Sequence, residues 1–353
     1  YTDIDDPSAY FQTTLYTGTG SNRSVTNGGN SDLQPDWIWI KNRTDAHYHN
    51  LHDSVRGVNL KLRTGGVAGE TANSSSGYVS AFSSDGFSVV AGSSNAEEVN
   101  TNNDNYVAWQ WKAGTSFTND ASSTSVGSID SAGSVNTDAG FSIISYTGTG
   151  SNGTIAHGLG VVPAWIIHKR RDDASGWVVW HKSIGTNILE LNSTGAQQSG
   201  SSYINGTVPT SSVFSIGTSG DINASGGTYI SYCFAEKQGY SKFGKYIANA
   251  NTDGNFIFTG FKPAFIIVKS SNQPQDGQSW FIYDSSRDPG NTATQTIQAN
   301  VNTGEQTNVA PIDILSNGFK LRTNTGRING TNGIYVYMAF AENPFVTSTG
   351  VPA

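Results

Sequence analysis

Three histidines, His47, His49 and His52, crowd the stretch just ahead of Asp53 and Ser54. On an extended strand His47 and His49 would share one face, as two metal ligands need to. His52, Asp53 and Ser54 are also the residue types of a hydrolase triad. The Asp-Ser pair returns as Asp284-Ser285, with Lys182-Ser183 between, but the histidine cluster occurs once and no Gly-x-Ser-x-Gly elbow is present. The expectation is a polar loop with turn-capping serines. No catalytic residue and no metal site is assigned, with His47, His49 and His52 as weak metal candidates.

Carboxylates and aromatic rings are the other chemical resource. Glycoside cleavage needs two acidic groups, and the glutamates are Glu70, Glu97, Glu98, Glu190, Glu236, Glu305 and Glu342. Glu97 and Glu98 sit in a polar loop, while Glu236 and Glu342 end related strands. Trp177, Trp180 and Trp280 lie beside predicted loops, where their rings would stack on sugars, so they are the candidate ligand-binding residues. Asn251–Asn255 and Asn102–Asn105 are rich in oxygen but lack the spacing of a calcium loop. Lys41, Lys169 and Lys269 end related strands and read as solvated lysines that blunt an edge.

The framework that must hold these residues is written three times. Pro35-Asp-Trp-Ile-Trp-Ile-Lys41 is followed by Pro163-Ala-Trp-Ile-Ile-His-Lys169 and Pro263-Ala-Phe-Ile-Ile-Val-Lys269. Each run leads to a serine, then to a strand around Phe87, Phe214 or Phe319, then to a closing aromatic strand ending at Trp111, Phe234 or Phe340. Short apolar runs separated by Gly, Asn and Ser turns, with no sustained helical period, read as strands. The expected fold is all-β: three tandem related β-sandwich units of jelly-roll or lectin-like type. The divisions are a leading segment 1–10, units 11–114, 140–239 and 240–344, a linker or inserted strands at 115–139, and a tail 345–353. Trp37, Trp165 and Phe265 are expected in the core, as are Trp111, Phe234 and Phe340, each of the latter packing on its own unit's proline-started strand.

Composition narrows the partners. Charged residues make up 13% of the 353-residue chain and the net charge is −7, with no basic run to hold nucleic acid. No apolar run reaches membrane-spanning length. The single cysteine, Cys233, lies in an apolar strand and reads as a buried thiol. No cofactor motif and no signal peptide is visible, and the chain opens on Tyr1 rather than Met, so its true start is expected to be missing.

Several stretches together resemble a known family. They are Asp6-Pro-Ser-Ala-Tyr-Phe-Gln-Thr13, Leu15-Tyr-Thr-Gly-Thr-Gly20, Trp39-Ile-Lys-Asn-Arg43, His52-Asp-Ser-Val-Arg-Gly57 and Tyr106–Gly114, with Gly239-Tyr-Ser-Lys-Phe-Gly244 and Ala339-Phe-Ala-Glu342. The chain is similar to structural or tail proteins of marine and cyanobacterial bacteriophage particles. The resemblance implies a virion location, partners among other virion proteins and copies of itself, and no catalytic residues. The expected function is a tail fibre, knob or capsid decoration acting in assembly or host attachment. The alternative is a carbohydrate-binding receptor-recognition module gripping a host surface glycan, and the less favoured one is a surface-polysaccharide depolymerase. Contacts specific to one unit are expected at 47–53, 115–135 and the Gln273–Gln278 loop.

Overall fold

The proline-led runs form the middle strands of three antiparallel sheets. The structure, a computed structural model, describes residues 1–93, 98–273 and 278–351. Trp37–Asn42, Trp165–Arg170 and Phe261–Ser270 each lie between a closing aromatic strand and a short following strand. The closing strands are Asn105–Trp111, Thr228–Phe234 and Ile334–Pro344; the following strands are Asn50–Asp53, Trp177–His181 and Phe281–Asp284. On the far side of each closing strand lies a flanking strand: Phe11–Thr17, Phe141–Thr147 or Ser241–Ile247. The registers run in parallel. Phe11 faces Trp111, which faces Trp37; Phe141 faces Phe234, which faces Trp165; Ser241 faces Phe340, which faces Phe265. Residues 11–114, 140–239 and 240–344 are called segments one, two and three below.

Pro35 and Pro163 precede their strands by two residues, but Pro263 lies inside its strand, between two register shifts. An irregularity is where a strand tolerates a residue with no N–H to give.

The middle strands carry apolar runs ahead of their lysines because both of their faces are buried. Trp37 and Trp39, Trp165 and Ile167, and Phe265 and Ile267 point into one core shared by all three segments. Ile38 and Ile40, Ile166, and Ile266 and Val268 point the other way, each set into a local core of its own segment. Those local cores are closed by the strands around Phe87, Phe214 and Phe319. Trp111, Phe234 and Phe340 are buried, and they meet one another: the ring centroids are 6.3, 5.7 and 5.8 Å apart. The segments are therefore not three independent cores in a row. The largest cluster of buried side chains lies between them.

Residues 115–139 hold two strands, Thr115–Asn119 and Ser131–Asn136, with the short helix Ala121–Thr124 between. The second strand pairs antiparallel with Phe141–Thr147 and extends that sheet. Among the described residues, Phe11–Thr17 and Ser241–Ile247 carry no such addition and end their sheets. Among the described residues no helix is long and apolar enough to cross a membrane.

Candidate functional site

Trp177, Trp180 and Trp280, the candidate sugar platforms, are at most 2% exposed. They offer no ring to a ligand. Trp177 Nε1 donates to Arg63 O at 2.8 Å, and Trp280 Nε1 donates to Glu190 O at 2.9 Å, in each case across to the preceding segment. Trp180 Nε1 donates to Gly185 O at 2.7 Å. A loop nearby in sequence gave the impression of exposure; the neighbouring segment removes it for Trp177 and Trp280, and the local core of segment two removes it for Trp180.

The lysines differ from expectation in the same way. Lys41, Lys169 and Lys269 are fully buried, because the strands that they end are central and not at an edge. Each ammonium donates to a carbonyl of its own segment, Asn42 O, Ser175 O or Gln278 O, and to a backbone carbonyl of another segment. Lys41 Nζ donates to Asn302 O at 3.3 Å, Lys169 Nζ to Val67 O at 3.0 Å, and Lys269 Nζ to Thr194 O at 3.0 Å. Segment one thus reaches three, two reaches one, and three reaches two. Burial lowers these lysines from the usual range to about 7, about 8 and about 7 respectively.

His49 holds the place in segment one that Trp177 and Trp280 hold in the others, beside its buried lysine. Trp39 Nε1 donates to its Nδ1 at 2.7 Å, and its Nε2 lies 3.0 Å from Gln298 O. Both ring nitrogens are occupied. His52 Nδ1 lies 2.7 Å from Val58 O, and burial followed by the Arg56 charge lowers that ring to about 3. It bonds neither Asp53 nor Ser54; Ser54 Oγ donates instead to Asp36 at 2.8 Å. His47 is half-buried on the loop. Among the described residues no group of three or more His, Cys, Asp or Glu is placed to hold a metal.

Carboxylates line the seams as well. Asp53 is buried against Arg56 at 2.5 Å and accepts from Tyr232 OH at 2.7 Å. Asp284 is buried against Arg287 at 2.5 Å and accepts from Trp109 Nε1 at 3.0 Å. Glu98, by contrast, is held within segment one by Lys61 and Arg63. Glu97 and residues 274–277 of the Gln273–Gln278 loop lie outside the described residues.

The surface offers something that the composition concealed. Phe256, Phe258 and Phe345 are 45%, 58% and 44% exposed. Phe258 and Phe345 line a cleft of about 520 Å³ with Asp3, Glu236, Gln238 and Lys242. Glu236 is gripped by Lys182 and Lys242, each at 2.6 Å, and faces the cleft as a fixed charge. The signal was in the registers. Ile257 faces Phe319 as Val25 faces Phe87 and Ile155 faces Phe214. The flanking positions are Ser24 and Thr26 in segment one and Thr154 and Ala156 in segment two, but Phe256 and Phe258 in segment three.

No curated protein and no solved structure matches this chain. The family described as Domain of unknown function (DUF7483) matches residues 6–344, and the chain belongs to that family.

Proposed function

We propose that this chain is a structural protein of a bacteriophage particle, a fibre, knob or decoration unit, that acts in assembly and host attachment and performs no catalysis. It is read as three related β-sandwich units joined in one chain and closed on themselves like a trimer. The observation that carries the reading is the cyclic seam. Equivalent lysines, ring N–H groups and the backbone bonds Glu70 N to Arg171 O, Gln197 N to Ser271 O and Glu305 N to Arg43 O link each segment to another, so the buried lysines and these ring groups are committed to holding the body together. What remains for recognition is surface. Gold-labelled antibody against the chain, applied to particles of the phage that encodes it, should decorate a fixed place. Unlabelled particles, with the chain found only in the soluble lysate, would overturn the assignment.

The Phe258–Phe345 cleft supports a second reading, binding of a host surface glycan. Exposed aromatic faces beside fixed polar groups suit a sugar, whose C–H face packs on a ring while its hydroxyls seek charged partners. A glycan array probed with the chain should give selective signals that Phe258→Ala removes; an array without signal rejects the cleft. Reducing ends released from host polysaccharide, and lost in Glu236→Gln, would replace binding with depolymerase action.

A further inference from the structure

Phe11–Thr17, Phe141–Thr147 and Ser241–Ile247 hold the same place beside their closing strands, yet their outer edges are treated in three ways. In segment two the strand Ser131–Asn136 lies against the edge, pairing Ser131 with Tyr146 through to Asn136 with Phe141. In segment three side chains cover it: Phe243 N donates to Glu236 Oε2 at 3.4 Å and Asn255 Nδ2 donates to Ile247 O at 2.6 Å. Lys242 and Lys245 add charge to that strand, a common defence of an edge.

Segment one has no added strand and no charge on its edge strand, and a side chain covers it at one end only. Lys112 N donates to Tyr10 O and Gly18 N donates to Asp104 O, so the even-numbered residues of this stretch face the closing strand. Phe11, Thr13, Leu15 and Thr17 therefore turn their backbone groups outward. Arg23 Nη1 covers Thr17 O at 2.7 Å. The N–H groups of Phe11, Thr13 and Leu15 meet no acceptor among the described residues. The strand reads Phe-Gln-Thr-Thr-Leu-Tyr-Thr, without charge or proline. A groove of about 360 Å³ runs beside its first half, lined by Phe11, Gln12 and Thr13 and, from segment three, by Ser285, Ser286 and Pro289. Thr13 Oγ1 is buried there without a hydrogen-bond partner.

We propose that the Phe11–Thr17 edge is a docking site for an extended, small-residue segment of another polypeptide, taken up as an added antiparallel strand. The occupant's character is drawn from the strand that covers the equivalent edge. Ser131–Asn136 is Ser-Ala-Gly-Ser-Val-Asn, and a Cβ on Gly133 would stand 1.8 Å from Ile143 O. Segment three supplies one wall of the groove, with Lys262 and Glu342 beside Ser285, Ser286 and Pro289. The inference does not depend on the particle reading, because it rests on backbone groups.

A labelled peptide spanning Asp130–Thr137 of this chain, DSAGSVNT, is the probe. Added to the full chain, it should give saturable anisotropy. Leu15→Pro removes one outward N–H without touching the pairing to the closing strand, and should weaken binding roughly tenfold or more. Amide exchange on the unmodified chain reads the same event independently of that variant's folding. Thr13 and Leu15 should slow on peptide addition and Thr14 should not change. No saturation at millimolar peptide, or protection that falls at Lys245 or Phe256 instead, overturns the proposal. So does self-association that Leu15→Pro abolishes, which would make a second copy the occupant.

Discussion

Two of the three seams are closed by buried ion pairs, and the third is closed without them. Asp53 with Arg56 meets Tyr232 between segments one and two; Asp284 with Arg287 meets Trp109 between segments three and one. At the corresponding places between two and three stand His181, Ile184 and Met338. Met338 has no proton to donate, and there the carboxylate and its arginine are both absent. His181 Nε2 lies 3.3 Å from Tyr337 O instead. The outer pairs follow the same division: Arg171–Glu70 at 3.0 Å and Arg43–Glu305 at 2.9 Å, against Ser271 and Gln197. A buried charge is tolerable only with all its partners, so the set is kept or lost as a whole.

The sharpest way to break that comparison is to strand one charge. Asp53→Ala leaves the Arg56 guanidinium with no exposed surface and a remote carboxylate, Glu70 at 3.5 Å. The expected loss is up to about 5 kcal/mol in a denaturant melt. Installing the other seam's solution, Asp53→His with Arg56→Ile and Tyr232→Met, should cost under about half of that. A triple variant as damaged as the single one would mean that the seams are not interchangeable. Truncating one member of the Trp111–Phe234–Phe340 triangle is expected to cost about 3–4 kcal/mol. Because the rings touch, Trp111→Ala with Phe340→Ala should fall short of the sum of the two; strict additivity would place them in separate cores.

The lysines test what every seam shares. Burial lowers Lys41 and Lys269 to about 7 and Lys169 to about 8, while the unfolded chain keeps ordinary lysines. Between these values and the ordinary lysine range the unfolded state binds more protons, so stability rises with pH. The gain is fully present above the ordinary range and is lost as pH falls through the folded values. From pH 7 to 9 each lysine should add up to about 1 kcal/mol per pH unit. Lys41→Met, Lys169→Met and Lys269→Met together should flatten the slope, as followed by denaturant midpoints; an unchanged slope would assign it to other groups.

The strands were legible because their two-faced burial is written as unbroken apolar runs, and the repetition aligned Trp111 with Phe234 and Phe340 without coordinates. The seams were not legible. A tryptophan beside a loop and a lysine at a strand end look exposed to any reading confined to one unit, and Trp177, Trp280 and the three lysines are covered by a different segment. His49 was weighed as a metal ligand for the same reason: nothing near it in sequence reveals that Gln298 O will occupy its ring. The exposed Phe256 and Phe258 were present in the sequence, but reading them required the register against Phe319, which sets outward positions apart from inward ones.

The smallest expected change in stability separates the surface from the seams most cleanly. Phe258→Ser, alone or with Phe256→Ser, places at the edge strand the kind of small residue that segments one and two already carry, as Thr26 and Ala156 at the first position and Ser24 and Thr154 at the second. Since both rings are largely outside the core, the melt should move by no more than about 0.5 kcal/mol. Trp177→Phe should do the reverse. It leaves Arg63 O without the indole donor and costs about 1–3 kcal/mol, yet it lies away from the cleft. Glycan retention, measured on the array ligand that binds most strongly, should vanish in the first variant and persist in the second under conditions where both are folded. Retention lost through Trp177 and kept through Phe258 would return recognition to the seam and leave the exposed phenylalanines as a contact between protein chains.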